Sequence, residues 1–387
     1  MNERNTDRGT FAFSDLEAFG ARECGALAVR ESFSLTLDAS ASTAPLRVSA
    51  LAKFDGTDAP VIEFSLITPE ADGAERLYRS PSYTVGTAKE YVRREWRVPP
   101  AFLPGMHTVV TVTVPEGTTL YLRQMNGAPD AALPAWNGGV RHNAHLGFIG
   151  LAPGCTLPAC ELAAACGFPA CIVVPKVTAD GVLVFIHDDT INRTGRDADG
   201  NAPAEPMKVS EMTYEELLAW DFGIAKNRIY AGTRIPLLED FFSLCAKTGM
   251  RPMFSTHPAL TVGQWEQVKK MLARRGLLPL FHIKSFSLDV LETAYSVFGD
   301  EIDGYTWDDG DAEKFKASAL ADACCRLGIE HRRTAITAES VAAIREAGFF
   351  AAAWNVGRIP SDEYRRLIAL GVTEFTEDYH CSMGLNW

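Results

Sequence analysis

The sequence predicts an α/β protein in which a C-terminal TIM (β/α)8 barrel follows an N-terminal all-β sandwich of jelly-roll-like arrangement. Its 387 residues exceed what one hydrophobic core usually organises, so two domains are expected. Apolar residues alternate with a period of two as far as about Gly138, and strand-like segments then alternate with helix-like ones. We therefore assign residues 1–138 to the sandwich and residues 139–387 to the barrel.

The sandwich is predicted from short alternating segments separated by turns. Phe33, Leu35 and Leu37 share one face of SFSLTLDAS, and further strands are predicted in PVIEFSLIT, LYRSPSYTV, HTVVTVTVP and TLYLRQM. Asp-Gly, Pro-Glu-Gly and Asn-Gly turns between them are typical of an antiparallel sandwich. Some aromatic residues would form either a ligand platform, which would suit a glycan, or part of the core, which is the commoner use. They are Trp96, Trp136, Tyr83 and Tyr91.

The barrel is predicted from strands that alternate with helices. The strand candidates are HNAHLGFI, ACIVVPKV, VLVFIHD, RPMFST, LPLFHIKS, IDGYTW and FAAAWNV, with helices such as LEDFFSLCAKTG and TVGQWEQVKKMLARRG between them. This alternation is typical of a closed parallel barrel. An open doubly wound sheet is the alternative, but no GxGxxG fingerprint follows an early strand.

Charge and composition narrow the classes of function. The net charge of −12 argues against nucleic-acid binding, because a phosphate backbone requires a basic face. A local cationic pocket for a small anionic substrate remains compatible with that charge. No apolar run suggests a secretion signal or a membrane span, so a cytoplasmic location is expected. Several of the nine cysteines lie in apolar stretches and are interpreted as small buried residues in a reducing compartment.

Polar residues gather at the predicted C-terminal ends of the barrel strands, where such barrels carry their catalytic groups. A single histidine there is more often a hydrogen-bonded core residue, but several converging on one rim indicate a functional site. The residues at these ends are His145, Lys176, His187, Asp188, His257, His282, Lys284, Trp307, Asp308, Trp354 and Asn355.

Four blocks of the second part are similar to the glycerophosphodiester phosphodiesterase family, in the same order. NAHLGFIGLAPGCTLPACELAAACG resembles its His-Arg-Gly and Pro-Glu-Asn-Thr block, and TADGVLVFIHDDTINRTG resembles its His-Asp block. VSEMTYEELLAWDFG with RIPLLEDFF, and FFAAAWNVGRIPSDEYRRLIALGVTEFTED, resemble the later blocks. The chain resembles the bacterial phosphatidylinositol-specific phospholipase C barrels more distantly. The resemblance implies a phosphoric diester hydrolase of lipid metabolism that acts on a small phosphodiester or polyol substrate.

The resemblance also implies roles for particular residues. His145 and His187 match the family's two catalytic histidines, which act as general acid and base, and histidine suits both proton roles near neutral pH. Asp188 either orients an imidazole or caps the following turn. Four further residues are candidates for substrate binding, although for His257 and Lys284 a structural role is the commoner outcome. They are Lys176, His257, Lys284 and Trp354.

The family's divalent cation, calcium or magnesium, has no matching ligands in this sequence. The Glu-x-Asp pair of the family falls on Ile172 and Val174, and its further Glu falls near Ser255. Such a cation requires oxygen ligands, so no cofactor is predicted. The ammonium of Lys176, which is also a candidate for a solvated rim lysine, would replace the cation, as a basic side chain does in the phospholipase C barrels. A displaced metal site built from Asp188, Asp189 or Asp308 is the alternative.

Three functions are therefore compatible with the sequence. The first is a phosphodiesterase that uses the two histidines without a metal, and we favour it because both histidines are retained. The second is an inactive relative that binds a phosphate-bearing or glycan ligand. The third is a glycan-binding sandwich for which the barrel is a scaffold.

Overall fold

A computed structural model describes residues 2–6, 10–38, 45–68, 76–80, 82–101, 105–129, 140–256, 260–356 and 361–378. This part of the chain divides into two compact units, one containing the described residues as far as 129 and the other nearly all of those from 140 onward. The predicted domain boundary at 138/139 lies outside the described residues.

The first unit is built from two β-sheets. Its strands are β1 (Asn2–Thr6), β2 (Ala21–Glu23), β3 (Ala26–Val29), β4 (Phe33–Leu37), β5 (Leu46–Asp55), β6 (Val61–Ile67), β7 (Arg76–Arg79), β8 (Tyr83–Thr84), β9 (Val92–Val98), β10 (His107–Thr113) and β11 (Thr119–Pro129), with a 3-10 helix at Phe13–Phe19. One sheet has the order β1-β4-β10-β6-β7, with β8 also on β6, and the other has the order β2-β3-β11-β5-β9. Trp96 of β9 lies 6.2 Å from Phe64 of β6, ring to ring, so the buried faces of the sheets meet as predicted for a sandwich.

The second unit is the predicted TIM barrel. Its strands are β12 (Arg141–Ala144), β13 (Ala170–Val173), β14 (Pro175–Val177), β15 (Leu183–Phe185), β16 (Arg251–Ser255), β17 (His282–Ser285), β18 (Gly304–Asp308), β19 (Arg326–Arg332), β20 (Phe350–Val356) and β21 (Val372–Glu377). Its helices are α1 (Leu157–Ala165), α2 (Tyr214–Leu218), α3 (Leu238–Thr248), α4 (Val262–Ala273), α5 (Leu288–Phe298), α6 (Ala312–Lys316), α7 (Ala338–Glu346) and α8 (Ser361–Leu370). The closed barrel has the order β12-β13-β16-β17-β18-β19-β20-β21.

One strand assignment made from the sequence is wrong, and one barrel strand was missed. VLVFIHD is not the third barrel strand, because β15 within it pairs antiparallel with β14 as a hairpin outside the barrel. Its apolar side chains are buried instead in a separate cluster that includes Val184, Ile186 and Ile191. The strand β19 was not predicted, because its sequence RLGIEHR is too polar to read as a buried strand. Its Glu330 nevertheless lies inside the barrel unit with 2% of its surface exposed.

Local sequence signals account for the ends of several helices. Thr156, Thr213, Thr261 and Thr337 each accept a backbone N–H at the start of a helix, which satisfies donors that have no partner within the helix. Helix α3 ends at Gly249, whose positive φ of 75° is a backbone conformation that glycine adopts without a steric penalty. No helix in the described ranges is long and apolar enough to cross a bilayer.

The N-terminal ends of the barrel strands meet in a charged network. Asp303 accepts hydrogen bonds from Arg141, Arg251 and Arg326, and its Oδ2 lies 3.0 Å from Nδ1 of His282. Burial alone would raise the pKa of Asp303, but His282 and the arginines hold it well below its ordinary value. Since this end of a TIM barrel ordinarily contributes stability and not chemistry, we assign the network a structural role.

Candidate active site

A cavity of about 210 Å³ opens at the C-terminal ends of the barrel strands. Its lining brings together both predicted catalytic histidines and two of the predicted substrate-binding residues. The lining residues are His145, Leu146, Val174, His187, Ser255, Lys284, Phe286, Asp308, Trp354 and Thr376. The cavity therefore lies where TIM barrels carry their active sites.

Each histidine is held through Nδ1 by a carboxylate. His145 Nδ1 lies 2.6 Å from Oδ1 of Asp378, and His187 Nδ1 lies 2.7 Å from Oδ1 of Asp188. A neutral imidazole that donates from Nδ1 has its lone pair on Nε2. With 30% and 38% of their side chains exposed, both rings remain accessible from the cavity.

Asp188 makes the contact with His187 that its predicted orienting role requires. Its carboxylate also accepts two hydrogen bonds from Arg193, at 2.5 and 2.8 Å. Although partial burial would raise the pKa of Asp188, the bonds from Arg193 and His187 hold it below its ordinary value. Asp188 is therefore a carboxylate that can stabilise a positive charge on the imidazole of His187.

Asp378, the partner of His145, was not singled out from the sequence. The available signal was an acidic residue immediately after a predicted strand, in GVTEFTED. The end of that strand is fixed, because the carbonyl of Glu377 accepts the backbone N–H of His145 at 2.9 Å. The buried carboxylate of Glu377 meanwhile accepts the hydroxyl of Tyr364 at 3.0 Å. These contacts set the relative position of His145 and Asp378.

The turn after β12 positions His145 with an unusual backbone. Leu146 has a φ of 53°, a left-handed conformation that branched and bulky residues rarely adopt. The carbonyl of Leu146 accepts the N–H of Cys155 at 2.8 Å, which ties the turn to the segment before α1. The barrel thus holds a strained residue directly beside its candidate catalytic histidine.

A buried charged cluster forms another part of the cavity wall. The ammonium of Lys284 pairs with the carboxylate of Glu330 and lies 3.6 Å from Oδ1 of Asp308. Glu330 also accepts the hydroxyl of Thr376 at 2.6 Å. Burial opposes the charge on Lys284, but Asp308 and Glu330 outweigh it and raise the pKa of Lys284. Burial raises the pKa of Asp308 well above its ordinary value, and Glu330 adds to that shift.

Lys176 does not stand at the barrel mouth, which corrects the prediction that it replaces the cation. Its side chain pairs with Asp189 and lines a different cavity of about 410 Å³, which also contains Lys208. The reason is the hairpin, because Lys176 lies on β14 opposite Val184 of β15. The alternation of side chains that places Ile172 in the barrel strand therefore does not extend to Lys176. Lys284, which enters from β17, supplies the ammonium found at the mouth.

The structure describes some of the other predicted residues and not others. Trp354 lines the cavity, with its ring 5.9 Å from that of Phe286 and the guanidinium of Arg332 4.7 Å above it. His257 lies outside the described residues, as does the side chain of Asn355. His282 is fully buried and bonded to Thr306 at 2.8 Å, and it does not line the cavity.

The described residues do not fit the family's divalent cation. Ile172 is buried in an apolar cluster with Ala170 and Met253, and Val174 contributes a buried apolar wall. No group of three histidine, cysteine or acidic side chains within the described ranges could hold a metal ion. The ionisable side chains of the mouth lie instead on β17, β18 and β19, where Glu330 and Asp308 both already contact the ammonium of Lys284.

The fold and this cavity define a TIM barrel with two carboxylate-held imidazoles at its C-terminal mouth. Residues 145–379 match the sequence model of the glycerophosphoryl diester phosphodiesterase family. Because that match covers more than half of the chain, the chain belongs to this family, and the resemblance of its sequence blocks is confirmed.

Parts of this chain are similar to a curated relative and to solved structures. A glycerophosphodiester phosphodiesterase of Caldanaerobacter subterraneus is 39% identical over 69 residues, which is 18% of this chain and 25% of that protein. This chain therefore spans only a quarter of that curated relative. An Oleispira antarctica phosphodiesterase in complex with the product sn-glycerol-3-phosphate is 22% identical, with a TM-score of 0.54 over 63% of this chain and 94% of that one. A glycerophosphodiester phosphodiesterase from Agrobacterium tumefaciens is 19% identical, with a TM-score of 0.53 over 63% and 99%. These two structures support the fold.

Proposed function

We propose that the barrel hydrolyses a phosphodiester of glycerol or a related polyol, with His145 and His187 as the acid–base pair and without a divalent cation. The observation that carries this proposal is the shared cavity, which both imidazoles line while each is bonded through Nδ1 to a carboxylate. Membership of the family supports the reaction class. The bound product in the Oleispira structure supports a glycerol phosphate group on the substrate.

In this mechanism the phosphate lies between the two rings. The neutral histidine removes a proton from water through Nε2 as the water oxygen bonds to phosphorus. The protonated histidine donates its Nε2 proton to the alkoxide oxygen as the bond from phosphorus to that oxygen breaks. Asp188 and Asp378 stabilise whichever imidazole carries the positive charge. A neighbouring hydroxyl of the substrate would attack in place of water by the same proton transfers, and the first product would then be a cyclic phosphate.

The ammonium of Lys284 is proposed as the fixed cation for the substrate phosphate. Its charge is paired with that of Glu330, and Oδ1 of Asp308 lies 3.6 Å away, so it supplies a positioned hydrogen-bond donor and not an isolated positive charge. The raised pKa of Asp308 favours its uncharged form, which lowers the negative charge that an incoming phosphate must meet. Trp354 and Phe286 provide an aromatic wall for the alcohol group.

The test is phosphorus NMR of glycerophosphodiesters incubated with the wild type and with His145→Asn and His187→Asn. General acid–base catalysis contributes about 10²- to 10⁴-fold, so each variant should lose turnover on that scale. His107→Asn, on β10 of the first unit, is the matched control and should keep the wild-type rate. A transient cyclic phosphate resonance would identify attack by the substrate's own hydroxyl.

An inactive, ligand-binding protein is the alternative, and the apolar residues Ile172 and Val174 at the family's ligand positions favour it. That function predicts thermal stabilisation by glycerol phosphate with no turnover of any diester. Wild-type rates in both cavity-histidine variants would overturn the proposed mechanism.

A further inference from the structure

One face of the first unit carries an excess of basic side chains. We call it the cationic face and define it by outward-pointing residues of β5, β9 and β11. They are Arg47, Lys53, Arg93, Glu95, Arg97 and Arg123. Asp55, at the end of β5, is a further acid at these outward positions. The whole chain has a net charge of −12, so a basic surface is an exception to its overall charge. Such a surface creates a local positive potential that attracts anions.

The strand register brings these cations together. Arg47 pairs directly with Arg97 across β5 and β9. Four residues further along β5, Leu51 pairs with Arg93. Residues directly opposite each other in neighbouring strands lie close together, so the Arg47–Arg97 pair brings two guanidinium groups to one place on the face. On the other side of β5, Lys53 pairs with Tyr121 of β11, which extends the face over three neighbouring strands.

Tyrosine rings fix the position of two of the cations. The guanidinium of Arg123 lies 4.0 Å from the ring centroid of Tyr91. The ammonium of Lys53 lies 5.3 Å from the ring of Tyr91 and 5.4 Å from that of Tyr121. Such cation–π contacts restrict long side chains that would otherwise be mobile, and restricted side chains lose less entropy when a ligand binds. Tyr91, one of the aromatic residues considered for a ligand platform, thus belongs to this face, whereas Trp96 is buried in the core.

Polar side chains complete the surface between the cations. Gln124 accepts a hydrogen bond from Arg93 at 3.0 Å, and Asn126 accepts one from Ser49 at 2.7 Å. Their amide groups retain further donors and acceptors. A ligand here would meet guanidinium forks suited to carboxylates, amides suited to hydroxyls, and tyrosines suited to the apolar face of a sugar ring.

We propose that the cationic face binds an acidic polysaccharide whose sugars carry carboxylate groups. Other polyanions fit the face less well. Every exposed large hydrophobic side chain in the described residues, namely Val262, Leu280 and Phe286, belongs to the barrel unit, so this face has no apolar anchor for a bilayer. Glu95 interrupts the basic rows at the rung opposite Ser49, which disfavours the dense phosphate charge of a nucleic acid.

The test uses the full chain and polygalacturonate as the probe, with neutral dextran as the matched polymer. Isothermal titration at low salt should show binding of polygalacturonate and not of dextran, and the affinity should fall as salt increases. The double variant Arg47→Gln/Arg97→Gln should bind about tenfold more weakly or worse, because each charge-assisted hydrogen bond lost corresponds to roughly a tenfold change or more. The variant Arg47→Lys/Arg97→Lys keeps the charge but not the planar guanidinium group. Its affinity for polygalacturonate should lie between those of the wild type and the glutamine double variant.

Arg22→Gln/Arg79→Gln removes two exposed arginines outside the face and is the matched control, which should retain wild-type affinity. All variants should keep the melting temperature and the rate on a small phosphodiester, which separates this proposal from the proposed hydrolysis. The proposal is overturned by a wild type that does not bind polygalacturonate, by equal weakening in the control pair, or by tighter binding to duplex DNA or anionic vesicles than to the polysaccharide.

Discussion

Replacing Lys284 with methionine removes the only described ammonium that pairs with the buried carboxylate of Glu330 and that lies near the side chain of Asp308. Glu330 and Asp308 are each 2% exposed, so water cannot take over the role of the cation. Removing one partner of a buried ion pair costs about 3–5 kcal/mol, because the remaining charge is left uncompensated. That loss is a large part of the roughly 5–15 kcal/mol by which a protein of this kind is stable.

The assay is urea unfolding followed by circular dichroism at pH 7, with Lys269→Met as the matched control. Lys269 pairs with Glu301, whose side chain is 57% exposed, and an exposed pair contributes no more than about 1 kcal/mol. Adding Glu330→Gln and Asp308→Asn to Lys284→Met should restore part of the lost stability, because neutral side chains no longer require a cation. A Lys284→Met variant as stable as the Lys269→Met control would show that Lys284 compensates no buried charge, as would a triple variant that recovers nothing.

Three further predictions concern carboxylates whose surroundings the structure defines. Asp378→Asn should lower kcat on a phosphodiester by about 10- to 10⁴-fold, because asparagine does not fix the His145 tautomer. An unchanged kcat and pH profile would contradict this. Asp303→Asn should cost about 3–5 kcal/mol at pH 7 by leaving three arginines without their shared partner. Since the pKa of Asp303 is depressed, its contribution is present above about pH 3.9 and is lost as the pH falls through the folded-state pKa, so unfolding midpoints of variant and wild type should converge in acid. The pKa of Asp308 is raised, so the wild type loses stability as the pH rises from about 3.9 through that pKa. Asp308→Asn should therefore gain stability relative to the wild type as the pH rises above about 3.9, and a constant difference would count against this.

The sequence predicted the two-part organisation and the barrel, because alternation with a period of two and then strand–helix alternation reflect burial directly. It did not predict which strands pair. The apolar segment around Val184 has the composition of a barrel strand, but a period of two does not distinguish a hairpin from a barrel position. The polar strand that carries Glu330 was missed for the converse reason, since its charges are neutralised only across the barrel.

The same limit explains which residues of the candidate site were predicted from the sequence and which were missed. His145 and His187 were placed at strand ends, and they do line one cavity, although their roles remain a proposal. The role of replacing the cation was assigned to Lys176 from strand parity. Hairpin pairing places Lys176 elsewhere, and Lys284, which was also a substrate-binding candidate, lies at the mouth instead. Asp378 was overlooked because its partner is 233 positions away, a separation that no local pattern reports.

Turnover by the metal-depleted protein distinguishes metal-free acid–base catalysis from catalysis that depends on a bound cation. The chain would be dialysed against EDTA until elemental analysis finds calcium, magnesium and transition metals far below one per chain, and the hydrolysis of a glycerophosphodiester would be followed by phosphorus NMR. A cavity that relies on two imidazoles and Lys284 predicts the same rate before dialysis, after dialysis and after calcium or magnesium is added back. A rate that vanishes in EDTA and returns with one equivalent of either cation would contradict the account.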